Sequence, residues 1–397
     1  MRTVTGKLAN MNIQRDLNYH IGLNRYILKY TGIWPEERKW NRSSSYHVLV
    51  PSLTMLCFVC APQTINLPLI AHDMNLLVEN LSMGNMTITI ALVKTIAFWM
   101  NGKSLKFLLK CIAEDWATAE TKERETMMNI ARLTRITTIG CIWLCELVAI
   151  TYVSLRFISM KYTDNIMVYR GYFPYNITYS PNYELTMIGQ TLGAIYGGTT
   201  YAAVDTFIAM LVLHACGQLS NLKDSLRNIH SYDKKDLQAR LKKIVERHNY
   251  IACFVETIEN CFNVMLLTQM ISCTIQLCFQ TFQAIMSFEE EAVEYMIFEL
   301  TFLTIYVVCV MMQLYLYCYV GERLMCESTD IADTAYHCEW YNLPPEKARL
   351  FVIIMSRART SPLRITAGKF CWFTIILYSQ VLKTTVSYIS VLYAVKS

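Results

Sequence analysis

Charged residues are scarce in this chain, at 17% against 54% hydrophobic. A soluble domain carries about 25%. So little charge cannot coat a globule of this length, and the composition excludes an ordinary water-soluble fold in favour of a lipid-facing one. Three segments that a hydropathy reading places on one side of a membrane, 72–79, 160–184 and 286–295, contain no cysteine although the chain has 15. An oxidised framework on that side is not indicated. Cys57 and Cys60 have a zinc-like spacing, but they fall mid-run without a second pair, so small apolar filler is the plainer reading. The first 46 residues are basic and have no apolar run ending in a small-residue cleavage site, so no signal peptide is expected. There is no zinc-protease histidine pair, phosphate-cradling glycine loop or nucleophile elbow, no internal repeat and no low-complexity tract. No enzyme activity, cofactor, metal or nucleic-acid partner is expected.

What is present is length of apolar run. A spanning helix needs about 20 mostly apolar residues, and seven runs qualify: 46–71, 80–100, 136–159, 185–216, 263–285, 295–320 and 368–395. The fourth is the least apolar, with Gln190, Thr191, Gly193, Gly197, Gly198, Thr199 and Thr200 in its first half, which suits a face turned to protein or to a cavity. Lys and Arg number eight in 1–46, seven in 101–135, eight in 217–262 and six in 321–366, against none, two and none in 72–79, 160–184 and 286–295. Basic segments stay in the cytoplasm, so the N-terminus is expected inside and, after seven spans, the C-terminus outside. The sequon Asn176-Ile-Thr178 falls in the longest outer loop, making Asn176 a glycosylation candidate, and the loop 286–295 is acidic (Glu289, Glu290, Glu291, Glu294). A second sequon, Asn41-Arg-Ser43, falls in a segment placed inside. Leu237, Leu241, Ile244, His248, Ile251, Val255 and Ile258 recur every three to four residues and run into the fifth span, which predicts one helix continuing below the membrane with His248 packed on its stripe.

The expected fold is therefore all-α, a polytopic bundle of seven transmembrane helices with cytoplasmic helical extensions forming an anchor. The expected divisions are a cytoplasmic segment 1–45, four spans in 46–216, a cytoplasmic helical loop 217–262, two spans in 263–320, an anchor segment 321–366 and a last span in 367–397. Charges inside spans are costly and point to function or to internal pairing. They are Glu146, Asp205, Glu299 and Lys383. Lys383 is expected to pair with an acid such as Asp205, since a bare ammonium at mid-depth would repel permeating cations.

The C-terminal quarter carries a resemblance. Cys318-Tyr319-Val320-Gly321-Glu322-Arg323-Leu324, Ser328, Ile331-Ala332, Tyr336-His337-Cys338-Glu339-Trp340, Pro344, Arg357-Ala358, Pro362, Gly368-Lys369-Phe370 and Leu382-Lys383-Thr384-Thr385-Val386-Ser387-Tyr388 resemble, in order and spacing, insect odorant receptors over about residues 305–395. The resemblance implies an odorant-gated, non-selective cation channel in the plasma membrane of olfactory sensory neuron dendrites, assembled as a heterotetramer with the shared coreceptor Orco. It implies a seventh span split into a cytoplasmic piece, here about 344–360, and a membrane piece lining the pore. The family's hydrophobic gate falls on Val391 and Val395, and Ala394 stands where the coreceptor has a glutamine. Independently, Thr384, Ser387 or Tyr388, Val391 and Val395 share one helix face that turns from polar to apolar, although packing alone would also explain the valines. A small, volatile or hydrophobic odorant is expected in the outer half of the bundle. The candidates are Met83, Met86 and Thr87; Ala149, Tyr152 and Val153; Met187, Thr191 and Tyr196; Gln276 and Phe279; and Phe298, Phe302 and Tyr306. A G-protein-coupled receptor would need the opposite orientation, an Asp-Arg-Tyr-like triplet and an Asn-Pro motif, and the seventh span has no proline. A gustatory-type channel shares the topology, but the Trp340 segment and the Ser387-Tyr388 ending favour the odorant family. A transporter would predict paired broken helices from inverted repeats, and none is found.

Overall fold

The computed structural model describes residues 2–36, 46–160, 167–231, 237–287 and 293–396. Its elements are helical throughout, apart from one two-stranded hairpin. Helix α1 (Arg2–Tyr30) lies against the lower bundle. The first passage joins α2 (Leu49–Met55) to α3 (Ala61–Ile70) through a π-turn at Leu56–Cys60. That widened turn precedes Pro62, which has no N–H to continue the ladder. The second joins α4 (Met74–Asn80) to α5 (Met86–Met100) through another at Leu81–Asn85. The short α6 (Gly102–Thr118) leads to α7 (Thr121–Ser159), α8 (Asn182–Arg227), α9 (Leu237–Ser287) and α10 (Val293–Tyr336). Then come α11 (Pro345–Thr360), the strands β1 (Thr366–Ala367) and β2 (Cys371–Trp372), and α12 (Ile375–Lys396).

Among the described residues, five passages are long and apolar enough to cross a membrane by themselves, those of α2–α3, α7, α8, α9 and α10. The apolar α5 continues α4, and α12 makes the last passage. Helix α8 is the central post: every residue of its most apolar 18-residue window is buried. Among the small and polar residues of its first half, Gln190, Gly193, Gly197, Thr199 and Thr200 are buried, as their composition suggested, and Thr191 and Gly198 are half-buried. The stripe from Leu237 to Ile258 is buried, apart from the half-buried His248, on a single helix that continues to Ser287.

Two features differ from the hydropathy reading. Helices α7 to α10 run well beyond their apolar stretches, because charged residues continue a helix that packs on its neighbours below the lipid. The last passage begins at Ile375, not at 368. Gly368 and Lys369 both take positive φ, +60° and +65°, in the tight hairpin turn between Ala367 and Phe370. The Gly368 N–H donates to the Asn263 carbonyl at 2.8 Å while its Cα faces Leu267, and a side chain there would meet Leu267.

The core has two principal parts stacked along the bundle. The lower gathers α1, α6, α11, the hairpin and the long extensions, around residues such as Trp116, Phe207, Phe262 and Phe351. The upper gathers α2 to α5 with the other halves of α7 to α10, around Met55, Ile88, Tyr152 and Phe302.

Candidate functional site

Within the upper core the helices leave a cavity of about 60 Å³. Its walls follow from helical periodicity. Phe302, Tyr306, Cys309 and Gln313 lie at steps of four, three and four on α10, and Cys145, Val148, Ala149 and Tyr152 lie at steps of three, one and three on one face of α7. Helix α8 offers Ala194, Gly198 and Tyr201, α5 offers Thr87 and Ile88, and α9 offers Gln276. Tyr169 arrives from outside any helix. Met167, Val168 and Tyr169 fold back into the bundle and are buried. The Tyr169 N–H donates to Gln190 Oε1 at 3.0 Å, and Gln190 Nε2 donates to the Tyr169 carbonyl at 2.8 Å. The Val168 carbonyl accepts from the Tyr152 hydroxyl (3.2 Å) and Arg156 Nε (3.1 Å). Arg156 is itself tied to Glu79.

The cavity is layered. Nearest the re-entrant segment is an aromatic wall, with Tyr152 ring centroids 5.1 Å from Tyr169 and 5.4 Å from Phe302. Next is a polar trio: Thr87 and Tyr306 hydroxyls 2.8 Å apart, Gln276 Nε2 donating to Thr87 at 3.3 Å, and the Tyr306 hydroxyl donating to the Ser82 carbonyl at 3.3 Å. At the far end the thiols of Cys145 and Cys309 are 3.7 Å apart beside Gln313. No lining residue carries a carboxylate, ammonium or guanidinium.

Of the residues proposed from sequence, Thr87, Ala149, Tyr152, Gln276, Phe302 and Tyr306 line this cavity together. Met86, Val153, Met187, Thr191 and Phe279 are on the same helices but outside the lining, Tyr196 packs its ring on Tyr30 at 5.6 Å, and Phe298 is exposed. The side chains of Met83, Val391, Ala394 and Val395 lie outside the described residues, as do Asn41 and the glutamates 289 to 291. Ser387 is exposed on α12, and Asn176 is exposed with its Oδ1 accepting from the Thr178 N–H (2.9 Å) and hydroxyl (2.6 Å). Of the cavity residues that sequence reasoning missed on α7 and α10, Cys145, Val148, Cys309 and Val310 lay within one turn of those it named, and Gln313 two turns from Tyr306. Nothing periodic marks Tyr169.

The intramembrane charges need one correction. Asp205 is paired with Lys94, not Lys383. Lys94 Nζ is 2.5 Å from Asp205 Oδ1, which also accepts from the Tyr317 hydroxyl at 2.5 Å. Lys94 Nζ further sits 3.3 Å above the ring of Tyr201, a cavity wall. Asp205 projects from the enclosed post α8, whereas α12 packs on α9 and α10 and leaves Lys383 exposed. Glu146 accepts from Thr199 at 2.6 Å, and Glu299 is half-buried near the start of α10.

A family model described as 7tm Odorant receptor matches residues 73–386. Odorant receptor 13a of Drosophila melanogaster is 28% identical over 243 residues, 57% of this chain and 57% of that protein. The odorant receptor coreceptor of Aedes aegypti is 32% identical over 165 residues, 41% of this chain and 33% of that one. The alignment thus spans little more than half of the first curated relative and a third of the coreceptor. The insect olfactory receptor OR5 of Machilis hrabei, solved in complex with eugenol, shares the fold with a TM-score of 0.81 over 94% of this chain and 97% of that one, at 15% identity.

Proposed function

The chain belongs to the odorant receptor family, and from that premise we propose that it is the odorant-binding subunit of a ligand-gated, non-selective cation channel completed by the coreceptor Orco. The observation that carries the reading is the buried, uncharged cavity with aromatic walls and a few polar groups, the lining expected of a small-molecule site. Six residues chosen from sequence for an odorant site converge there. Its volume, about 60 Å³, is less than half of the ~150 Å³ that admits benzene in an engineered apolar cavity. A ligand must therefore move wall side chains. It shifts a gating equilibrium only to the extent that it binds the open arrangement more tightly than the closed one.

In this reading α12 lines the pore, and Val391 and Val395 close it as an apolar ring that excludes water, with Ala394 beside them. The basic segments face the cytoplasm and Asn176 faces outward as a glycosylation acceptor. The assembly resides in the plasma membrane of olfactory neuron dendrites. The test is to express the chain with and without the coreceptor and to record current on odorant application. Odorant-evoked cation current that requires the coreceptor and survives block of G proteins is expected. A response abolished by that block overturns the reading.

A further inference from the structure

Gln313 is the cavity's poorly served polar group. Its side chain is buried, at 7% exposure. Its amide nitrogen donates only to sulfur, to Cys145 Sγ at 3.3 Å and Cys309 Sγ at 3.6 Å. A thiol is a weak acceptor, so this donor obtains little of what a buried amide gains from an oxygen. Thr87, Gln276 and Tyr306, by contrast, satisfy one another and the Ser82 carbonyl, and the Tyr152 hydroxyl donates to the Val168 carbonyl. Below the floor, Lys94 and Asp205 are committed to each other.

Resting on the odorant-receptor reading, we propose that the ligand is a small apolar molecule carrying one oxygen that accepts but does not donate, of the ketone, aldehyde, ester or ether class, seated with that oxygen on the Gln313 amide and its hydrocarbon body among Val148, Tyr152, Phe302 and Tyr306. The absence of an ionised lining group excludes carboxylic acids and amines in their charged forms, whose desolvation nothing in the cavity offsets. An alcohol is the weaker fit, because it brings a second polar group to be desolvated. Its oxygen can take the Gln313 N–H, while its own hydrogen must turn back to Gln313 Oε1 or break into the Thr87–Tyr306 pair. The orientation follows from the layering. Gln313 is seven residues beyond Tyr306 on α10, two turns or about 10 Å, so a head on the amide lays the body past Val148 and Tyr306 toward the aromatic wall.

The experiment uses the full chain co-expressed with the coreceptor and a panel of methyl ketones, aliphatic and aromatic. Each ketone is tested beside the alkene in which =CH2 replaces the oxygen and beside the matching secondary alcohol. Ketones are expected to activate at about tenfold lower half-maximal concentration than their alkenes, the worth of one net hydrogen bond to a buried amide, with the alcohols between. Gln313→Met, close in volume and without the donor, is expected to bring ketone and alkene together. Surface labelling establishes that each variant assembles. Should Gln313→Met fail to reach the surface, Gln313→Asn, which retracts the amide by one methylene, must narrow the ratio instead. Alkenes matching ketones in the wild type, or an unchanged ratio in the variant that reaches the surface, overturn the ligand class while leaving an odorant-gated channel standing. A wild-type assembly at the surface that answers no member of the panel, with or without the coreceptor, overturns both.

Discussion

At the scale of single residues, the most demanding feature is the carboxyl group of Asp205, at 1% exposure in the middle of the bundle. Lys94, itself at 0%, answers it from α5, and Tyr317 answers it from α10. Such a pair is weak evidence of net stabilisation, because desolvating both ions costs about what their attraction returns, but removing one partner strands the other. Asp205→Asn is therefore expected to destabilise the protein by about 3–5 kcal/mol, read as loss of surface protein and a lower Tm in detergent. Lys94→Met combined with Asp205→Leu is expected to recover part of that loss. Equal loss in the single and double variants would show that shape, not charge, is what the site requires. The sequence marked Asp205 as a residue in need of a partner, since lipid penalises charge wherever it occurs. It could not mark the partner, because Lys94 and Lys383 are both single cations in apolar runs and only the packing order of α5, α8 and α12 separates them.

His20 is the second such residue. It is buried between Trp116 and His214, with ring centroids at 5.8 and 5.6 Å, and neither ring nitrogen has a partner among the described residues. Burial first, and the neighbouring His214 second, push its pKa down to about 3. The unfolded chain titrates near 6.5, so between these values it binds a proton that the fold refuses, and stability rises with pH there. The contribution is complete above about pH 6.5 and is lost at about 1.4 kcal/mol per unit as the pH falls toward 3. Melting in detergent between about pH 7.5 and 5 should show a falling Tm, and His20→Phe should flatten the fall. The same slope in both proteins would place the acid sensitivity elsewhere.

At the scale of elements, what hydropathy conveys is apolar length, and so it conveyed seven passages but not where helices end. Charged side chains below the lipid extend α9 by the stripe at Leu237 to Ile258, and that stripe was legible because packing helix on helix leaves a period. The segment Met167–Tyr169 leaves none. It is held by a pair of bonds from one side chain, Gln190, reaching both its N–H and its carbonyl. Polar residues in an apolar run signalled that α8 faces protein, without saying that one of them clamps a loop. Because Tyr169 forms a wall of the cavity, Gln190→Leu should release the segment while keeping the side chain's bulk. A several-fold rise in the half-maximal concentration of whichever odorant is active is expected, with the surface level retained. Unaltered dose–response curves would show that the segment closes the cavity without the clamp.

At the scale of the whole molecule, the two cores differ in chemistry. The lower one joins long helical extensions to α1, α6 and α11 and carries cations matched to acids, as where Lys223 meets Glu327 at 2.7 Å and Asp330 at 3.0 Å. The upper one surrounds the cavity, close to the connections at 72–79 and 167–184, which carry one Arg and no Lys. A volatile ligand arriving from outside reaches that cavity directly only if these connections face outward, and the distribution of basic residues demands the same orientation for reasons of insertion. The two requirements are independent, since one concerns where a pocket formed and the other how the chain was threaded. An epitope tag fused after Ser397 should accordingly bind antibody on intact cells, and one placed after Met1 only once the cells are permeabilised. The reverse pattern would turn the cavity toward the cytoplasm and the Lys223 cluster toward the exterior. The pore assignment of α12 and the route of the odorant would then fall together, because both depend on the side at which the last helix emerges.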